Sequence, residues 1–251
     1  MDSFDVRPDT DYVLIFTTQF PPTLEQTRKH HIVATESILL PDGHINPAWH
    51  ELYYQTILRQ DVEELLSFPG YSALSFYRHM FKRLSHSNIE IVFSIQRSDE
   101  LNTAFQKLTP NSVLIIIGHC CTKLRLFGQT FPALSSDIKE VKVGKEVFPN
   151  PPVIPLMIAS NLSGNPKLKN TNPLEIIVYA CSASEFYCNS LIETLFENHI
   201  NAIAHCNVNP VMRTGGLSEK AVTTLMKEAV CGRGSARHFI RDGKATRQFK
   251  E

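Results

Sequence analysis

The chain has 251 residues, 43% of them hydrophobic, which is enough to bury the core of one α/β domain. Its 25 basic and 25 acidic residues give a formal net charge of zero, so the basic surface of a nucleic-acid binder is not expected. No apolar run reaches the ~18 residues of a membrane span, and the first residues lack the basic start and apolar centre of a signal peptide.

The amino-terminal part of the chain predicts strands on either side of a helical region. Residues 12–17 form a short apolar run that is typical of a strand, and residues 32–40 fit a strand or a hairpin arm. Apolar residues recur at steps of three and four over 47–68 and again over 72–84, which predicts two helices. A further strand is predicted over 89–95.

The rest of the chain continues the alternation of helices and strands. The predicted elements are a helix over 98–109, a strand over 112–118, a short return strand over 124–127, a hairpin through Gly144, a helix over 153–162, a strand over 174–180, a helix over 184–198, a strand over 200–205 and a helix over 214–229. Ser98 and Ser184 are candidate N-caps, and Gly128 marks a turn. The residues predicted to point inward from the helix at 184–198 are Phe186, Leu191, Ile192, Leu195 and Phe196. This order predicts βαβ units and a mostly parallel sheet.

Two of the apolar runs end at chemically reactive side chains. Residues 113–118 are followed by His119, and residues 174–180 are followed by Cys181. Aliphatic runs without polar alternation are typical of strands that are buried on both faces of a parallel sheet. Because ligands and catalytic groups lie beyond the carboxyl ends of such strands, we expect His119 and Cys181 to face each other if the two strands are neighbours.

A histidine beside a cysteine suits nucleophilic catalysis. Cysteine attacks a carbonyl carbon as the thiolate, and a nearby imidazole can accept the thiol proton or pair with the thiolate as imidazolium. The backbone N–H groups of Cys120 and Cys181 are the candidate donors to the oxyanion. The helix predicted shortly after Cys181 favours a thiolate further, because a helix amino terminus stabilises negative charge.

The order of these motifs resembles the two catalytic blocks of caspase-like (clan CD) cysteine peptidases. The matching segments are Ile-Ile-Ile-Gly-His119 and Ile-Val-Tyr-Ala-Cys181-Ser, and the histidine precedes the cysteine by 181 − 119 = 62 residues, against roughly 50 in caspases. The similarity is greatest to bacterial CHAT-type domains, in which the cysteine block is followed by a helix and by a strand that ends in a valine-containing loop, here at Val208. The resemblance covers about residues 112–228.

The resemblance implies a three-layer α/β sandwich with a mostly parallel central sheet. The whole chain, 1–251, would then be one caspase-like domain with a catalytic core at 112–228 and a basic tail at 232–251. In such a domain His119 is the base and Cys181 the nucleophile of a cysteine endopeptidase that uses no metal and no cofactor. The implied partner is a protein or peptide substrate.

The resemblance also implies where the substrate binds. The peptide would lie as an added strand beside the loop at 206–213. CHAT relatives that cut after basic residues carry acidic groups near the valine-containing loop, whereas the corresponding residues here, around Val208, are uncharged. Asn207 and Asn209 are therefore the candidates for contacting a polar substrate side chain, and Arg213 for contacting an acidic one.

Three other functions compete with the peptidase hypothesis. The glycine that follows the histidine in the family is Cys120 here, so a catalytically inactive interaction module of the same fold is the first alternative. Another thiolate enzyme with the same dyad, such as an acyltransferase or a deamidase, is the second. The third is a zinc or redox protein that uses His119, Cys120, Cys121 and Cys181. Adjacent cysteines and the lack of a Cys-x-x-Cys motif disfavour the third.

The six cysteines do not show the framework of a small disulfide-rich domain. They are predicted to be free thiols in a reducing compartment. The expected location is therefore the cytoplasm, with export to the cytosol of another cell left open. The sequence leaves the oligomeric state undetermined.

Overall fold

The protein is described here by a computed structural model. The residues that it describes are 10–18, 40, 42, 44, 46–47, 88–94, 96–126, 128–135, 140–143, 146–149, 151–169, 172–181, 186–207 and 235–249. Apart from single terminal residues, the elements predicted at 32–40, 47–68, 72–84 and 214–229 lie outside these ranges.

The described part contains ten strands and three α-helices. The strands are β1 (Val13–Thr17), β2 (Ile89–Phe93), β3 (Val113–Leu126), β4 (Gln129–Leu134), β5 (Glu140–Val143), β6 (Glu146–Pro149), β7 (Leu174–Cys181), β8 (Ala202–Asn207), β9 (Ser235–Arg241) and β10 (Lys244–Phe249). The helices are α1 (Ser98–Phe105), α2 (Pro155–Ser163) and α3 (Phe186–Glu197), and a short 3-10 helix covers Pro166–Leu168. None of these helices is long and apolar enough to cross a membrane.

Seven of the strands form one continuous path in the order β10-β9-β8-β7-β3-β1-β2. The five strands β8, β7, β3, β1 and β2 are parallel to one another, and the β9–β10 hairpin extends the sheet in antiparallel fashion. Strand β4 turns back and pairs with the outer half of β3, while β5 and β6 form the hairpin predicted through Gly144. The α/β class and the mostly parallel sheet are therefore confirmed.

The central strands are apolar because both of their faces are buried. Leu14 and Phe16 point to one face of the sheet and Val13 and Ile15 to the other, and all four have no exposed surface. Residues 113–117 of β3 are buried in the same way. A strand with two covered faces has no position at which a polar side chain reaches water, which explains the uninterrupted aliphatic runs.

The three helices share one hydrophobic cluster on a single face of the sheet. Helix α2 packs between α1 and α3, and the rings of Phe16 and Phe105 meet edge to face with their centroids 5.6 Å apart. Pro155 lies in the first turn of α2, where its missing N–H costs no helical hydrogen bond.

A buried asparagine connects the loop after α2 to the end of α1. The Asn165 side chain has no exposed surface, and its amide nitrogen donates to the carbonyl oxygens of Phe105 at 3.0 Å and Leu108 at 2.9 Å. Its amide oxygen accepts from the backbone N–H of Lys167 at 3.0 Å. One side chain thus adds a hydrogen bond to two carbonyls at and just after the end of α1 and begins the 3-10 helix.

Strand β3 is longer than predicted and does not end at His119. The predicted return strand at 124–127 falls largely on the outer part of β3 itself, and the chain reverses at Gly128, whose φ of +79° is easily adopted by glycine. The prediction was wrong because it assumed that the strand stops where the apolar residues stop. An antiparallel partner such as β4 supplies backbone hydrogen bonds to polar residues as well.

Two details of the predicted helices are wrong. Ser98 is the first residue of α1, the N-cap position belongs to Arg97, and no side chain makes a capping hydrogen bond.

Phe186 and Phe196 of α3 are 45% and 47% exposed, although their hydrophobicity predicts burial. The buried stripe of α3 consists of Tyr187, Cys188, Leu191, Ile192 and Leu195. At about 100° per residue, Phe186 lies opposite that stripe and Phe196 lies just beyond its edge.

The prediction that all six cysteines are free thiols is wrong for two of them, Cys188 and Cys206. The structure joins Cys188 of α3 to Cys206 of β8 in a disulfide, with the two Cα atoms 7.0 Å apart. The two residues are 18 positions apart in the sequence and meet because α3 packs against β8. Sequence spacing alone does not reveal this contact.

Candidate active site

The candidate site lies at the edge of the sheet where the parallel pairing of β3 with β7 ends. The two strands are neighbours, as the dyad hypothesis requires, and they run in register from Val113 and Glu175 to Ile117 and Tyr179. His119 follows two residues later in β3, and Cys181 is the last residue of β7. The fold therefore brings the backbones of both predicted dyad residues to the same edge.

A β-bulge occupies this point of the pairing. Ile117 pairs with Tyr179, but the next pair is Cys120 with Cys181, so two residues of β3 stand opposite Ala180 alone. The two residues of the bulge are Gly118 and His119. Bulges are uncommon between parallel strands, and they change the direction in which the next side chains leave the strand. The predicted base thus lies on the one irregular step of this strand pair.

Gly118 is required by a close contact. A Cβ atom at this position would lie 2.7 Å from the Cβ of Leu134, the last residue of β4. Leu134 is held in place by two backbone hydrogen bonds with Val153, each 2.9 Å long. The glycine before the histidine therefore lets β4 close over β3 immediately beside the bulge.

Thr18 was missed by the sequence analysis. This residue follows β1 directly and is fully buried, its backbone N–H donates to the carbonyl of Ile117 at 3.0 Å, and its hydroxyl donates to the carbonyl of Ser135 at 2.9 Å. Thr18 thereby ties β1, β3 and the end of β4 together next to the bulge. A detectable signal was present, because Thr17 and Thr18 end an apolar run in the same manner as His119 and Cys181 do.

The outer half of β3 reaches the helix that follows Cys181. The Lys123 ammonium nitrogen lies 5.8 Å from the ring centroid of Phe186, the first residue of α3. This contact is a cation–π interaction at a partly exposed position, where such pairs contribute about 0.5–1 kcal/mol. The β3–β4 ribbon thus contacts the beginning of α3 on the same side as the candidate site.

The other predicted site residues are only partly covered by the described ranges. Asn207 is the last residue of β8, the neighbour of β7, so it lies at the same edge of the sheet as Cys181. The predicted substrate contacts Asn209 and Arg213 and the candidate cap Ser184 lie outside the described residues. The backbone of Cys120, the predicted oxyanion donor, directly follows the bulge.

Among the residues whose side chains the structure describes, one group of three potential metal ligands is present. It consists of Cys188, Cys206 and His238, which are all buried. The alternative zinc set of His119, Cys120, Cys121 and Cys181 stays a prediction.

Comparisons of the chain with protein-family models, with curated proteins and with solved structures found no match. The caspase-like resemblance therefore rests on the two sequence blocks and the geometry of the strands that carry them.

Proposed function

We propose that the chain is a cysteine endopeptidase of caspase-like, three-layer fold, with Cys181 as nucleophile and His119 as base. The observation that carries the proposal is the parallel pairing of β3 with β7, whose last regular pair, Ile117 with Tyr179, lies two residues before His119 and two before Cys181. Both strands lie in the interior of the sheet, since β1 flanks β3 and β8 flanks β7. Catalytic groups of parallel sheets are found at this edge of interior strands.

The proposed reaction proceeds through a thioester. The imidazole of His119 takes the proton of the Cys181 thiol, and the thiolate attacks the carbonyl carbon of the peptide bond to form a C–S bond and an oxyanion. When the C–N bond breaks, the leaving amine takes the proton from the imidazolium. His119 then deprotonates a water molecule that hydrolyses the thioester and restores the thiol.

The backbone at the bulge provides a physical basis for the oxyanion donors. In this mechanism the N–H groups of Cys120 and Cys181 donate to the oxyanion, and these two residues are register partners on neighbouring strands. A regular parallel pairing would use its N–H groups between the strands. The register shift lies directly before the pair of Cys120 with Cys181, so the backbone departs from the regular pattern next to the proposed donors.

The proposed substrate is a protein segment in extended conformation, bound beside the loop that begins at Asn207. Asn207 and Asn209 would contact a polar substrate side chain, and Arg213 an acidic one. The proposed site of action is the cytoplasm, of the producing cell or of another cell.

The dyad is tested by alkylation of the reduced full-length protein with iodoacetamide across pH, with mass spectrometry to locate the adduct. We expect Cys181 to react faster than the other cysteines near neutral pH, because a thiolate paired with imidazolium persists below the ordinary thiol pKa of ~8.5. The preference should disappear in His119→Ala. It should remain in His44→Ala, a matched control whose ring lies beside Glu100, near the far edge of the sheet. Equal reaction of Cys181 and the other thiols would refute the dyad.

Cleavage of a peptide library then tests the chemistry. The wild type should cut a subset of peptides, and Cys181→Ala should cut none. A reactive Cys181 with no cleavage of any peptide or protein would support another acyl-transfer activity of the same dyad.

The interaction-module alternative is favoured by one observation, the cysteine at position 120 where the family has glycine. If the side chain of Cys120 obstructs the oxyanion position, Cys120→Gly should raise the cleavage rate. If neither the wild type nor Cys120→Gly cleaves peptides, and Cys181 shows no enhanced reactivity, the interaction module becomes the better hypothesis.

A further inference from the structure

Three buried side chains with metal-binding chemistry meet beside the candidate active site. Cys188, Cys206 and His238 are each fully buried, and one ligand atom from each lies within 4.8 Å of the other two. They come from three different elements, α3, β8 and β9. None of them has a role in the proposed peptidase.

The antiparallel pairing of β8 with β9 explains why they meet. His238 is the register partner of Ala204, and Cys206 is the partner of Ala236, so Cys206 and His238 are diagonal neighbours on one face of the sheet. Helix α3 packs against β8 and β9 on that face and contributes Cys188. The arrangement is thus built by the packing of a helix on two strands, which makes it rigid.

The hydrogen bonding of His238 is the second observation. Its Nδ1 atom lies 2.7 Å from the side-chain oxygen of Asn189, the residue after Cys188. An amide oxygen only accepts hydrogen bonds, so a neutral ring that bonds to it carries its proton on Nδ1 and its lone pair on Nε2. Metal-binding histidines are oriented in this manner, with one nitrogen on the ion and the other donating to an oxygen.

We propose that Cys188, Cys206 and His238 bind one Zn²⁺ ion when the two cysteines are reduced. In the proposed cytoplasmic location, glutathione or thioredoxin would reduce the disulfide to two thiols and be oxidised to its own disulfide in exchange, and the Cα separation of 7.0 Å lies just beyond the usual range for disulfides, about 4.4–6.8 Å. Thiolates and imidazole are preferred zinc ligands. The three donors leave one tetrahedral position, which a water molecule can fill as in other zinc sites with three protein ligands.

Charge favours Zn²⁺ over Cu⁺, another ion that thiolates bind. Two thiolates, a neutral imidazole and Zn²⁺ form a neutral group, whereas Cu⁺ would leave one negative charge at a site with no exposed surface. Burying an uncompensated charge is costly. The ion would join α3, β8 and β9, and thereby hold the helix that follows Cys181 against the sheet. The inference does not depend on the proposed peptidase activity.

The first test uses the wild-type protein, reduced and stripped of metal, in an anaerobic titration with Zn²⁺ against a chromophoric chelator. We expect one ion per chain. Co²⁺ in the same site should give the intense near-ultraviolet absorption of cobalt–thiolate bonds and the visible bands of tetrahedral cobalt. Because Cys188 and Cys206 are buried, labelling is done at a urea concentration at which they react in the metal-free protein; there Zn²⁺ should slow their reaction with iodoacetamide more than that of Cys120, Cys121 or Cys231. If the reduced wild type takes up no Zn²⁺, or binds it without protecting this pair, the proposal is wrong.

Variants then assign the ligands. Cys188→Ser, Cys206→Ser and His238→Gln should each weaken Zn²⁺ binding at least tenfold. The matched control is His199→Asn, which removes a histidine at the end of α3 but keeps a residue that tolerates the φ of 62° at that position. A variant with serine at the other four cysteines, Cys120, Cys121, Cys181 and Cys231, should still bind one ion. If this four-serine variant retains the circular dichroism of the wild type but no longer binds Zn²⁺, the ion binds at one or more of the replaced cysteines and the proposal is wrong.

Discussion

Gly118 and Leu134 approach so closely that any side chain at position 118 would collide with β4, since a Cβ atom there would lie 2.7 Å from the Cβ of Leu134. Leu134 cannot move away without loss, because both of its backbone groups are hydrogen-bonded to Val153. The contact is fully buried and directly precedes His119. The geometry of the candidate site thus depends on the lack of a side chain at position 118.

We expect Gly118→Ala to lower the free energy of unfolding by about 1–3 kcal/mol, the usual cost of overpacking a core. The measurement is urea denaturation followed by circular dichroism. Gly164→Ala is the matched control: that glycine is exposed, has a φ of −77°, and its added Cβ would meet only the end of the Gln106 side chain at 3.2 Å. Its effect should stay within about 0.5 kcal/mol. Equal effects of the two substitutions would contradict the assigned contact.

Asn165→Leu should be among the more destabilising polar substitutions. It removes the donor to two buried carbonyls, those of Phe105 and Leu108, and the acceptor for one backbone N–H. The Phe105 carbonyl keeps the N–H of Leu108 at 3.3 Å, but the Leu108 carbonyl and the Lys167 N–H lose these hydrogen bonds. At about 1–3 kcal/mol for each unpaired group, and with partial relaxation, we expect a total loss of about 2–4 kcal/mol. Asn161→Leu is the control, because its side chain donates only to the carbonyl one turn before it in the same helix. Chemical denaturation of both variants checks the difference, and a loss at Asn165 no larger than at Asn161 would disprove it.

Hydrogen exchange should separate the centre of the sheet from its edge. Residues 114–117 are fully buried in a strand that is paired on both sides, whereas β10 pairs only with β9 and is largely exposed. We expect the amides of 114–117 to exchange at least about 100-fold more slowly than those of β10, after correction for intrinsic rates, because their exchange requires global unfolding. Mass spectrometry or NMR measures this directly. Similar protection in both segments would mean that the β9–β10 hairpin does not open independently.

Asp99 should titrate at an unusually low pH. The Arg97 guanidinium donates a hydrogen bond of 3.1 Å to its carboxylate, and this bond is the main reason that the pKa of Asp99 is lowered. Because the folded pKa lies below the unfolded value of ~3.9, any contribution to stability is present above that value and is lost as the pH falls through the folded pKa.

The titration of Asp99 can be followed by NMR. Arg97→Gln should raise the pKa of Asp99, whereas Arg125→Gln, on the outer half of β3, should leave it unchanged. Both partners are exposed, so the substitution should not measurably change stability at neutral pH. A pKa of Asp99 that is the same in the wild type and in Arg97→Gln would show that this hydrogen bond does not persist in solution.

The sequence by itself determined the class of fold and the apolar central part of its inner strands, whereas β3 continues to Leu126, beyond its predicted end. Residues 113–118 and 176–180 are apolar without polar alternation, a pattern that is typical of a strand covered on both faces. The sequence also predicted two features that a single residue sets: the turn at Gly128 and the place of Pro155 in the first turn of a helix. These features depend on residues that are close in the sequence, so the local sequence pattern predicts them.

The tertiary structure alone decided which strands are adjacent and what happens between them. The pairing of β3 with β7 joins residues 62 positions apart, and no local pattern records it. The bulge at Gly118 and His119, the contacts of Thr18 and the meeting of Cys188 with Cys206 likewise arise from packing between distant segments. The exposure of Phe186 shows the same limit, because its hydrophobicity is local while the side of the helix that meets the sheet is set by the whole core.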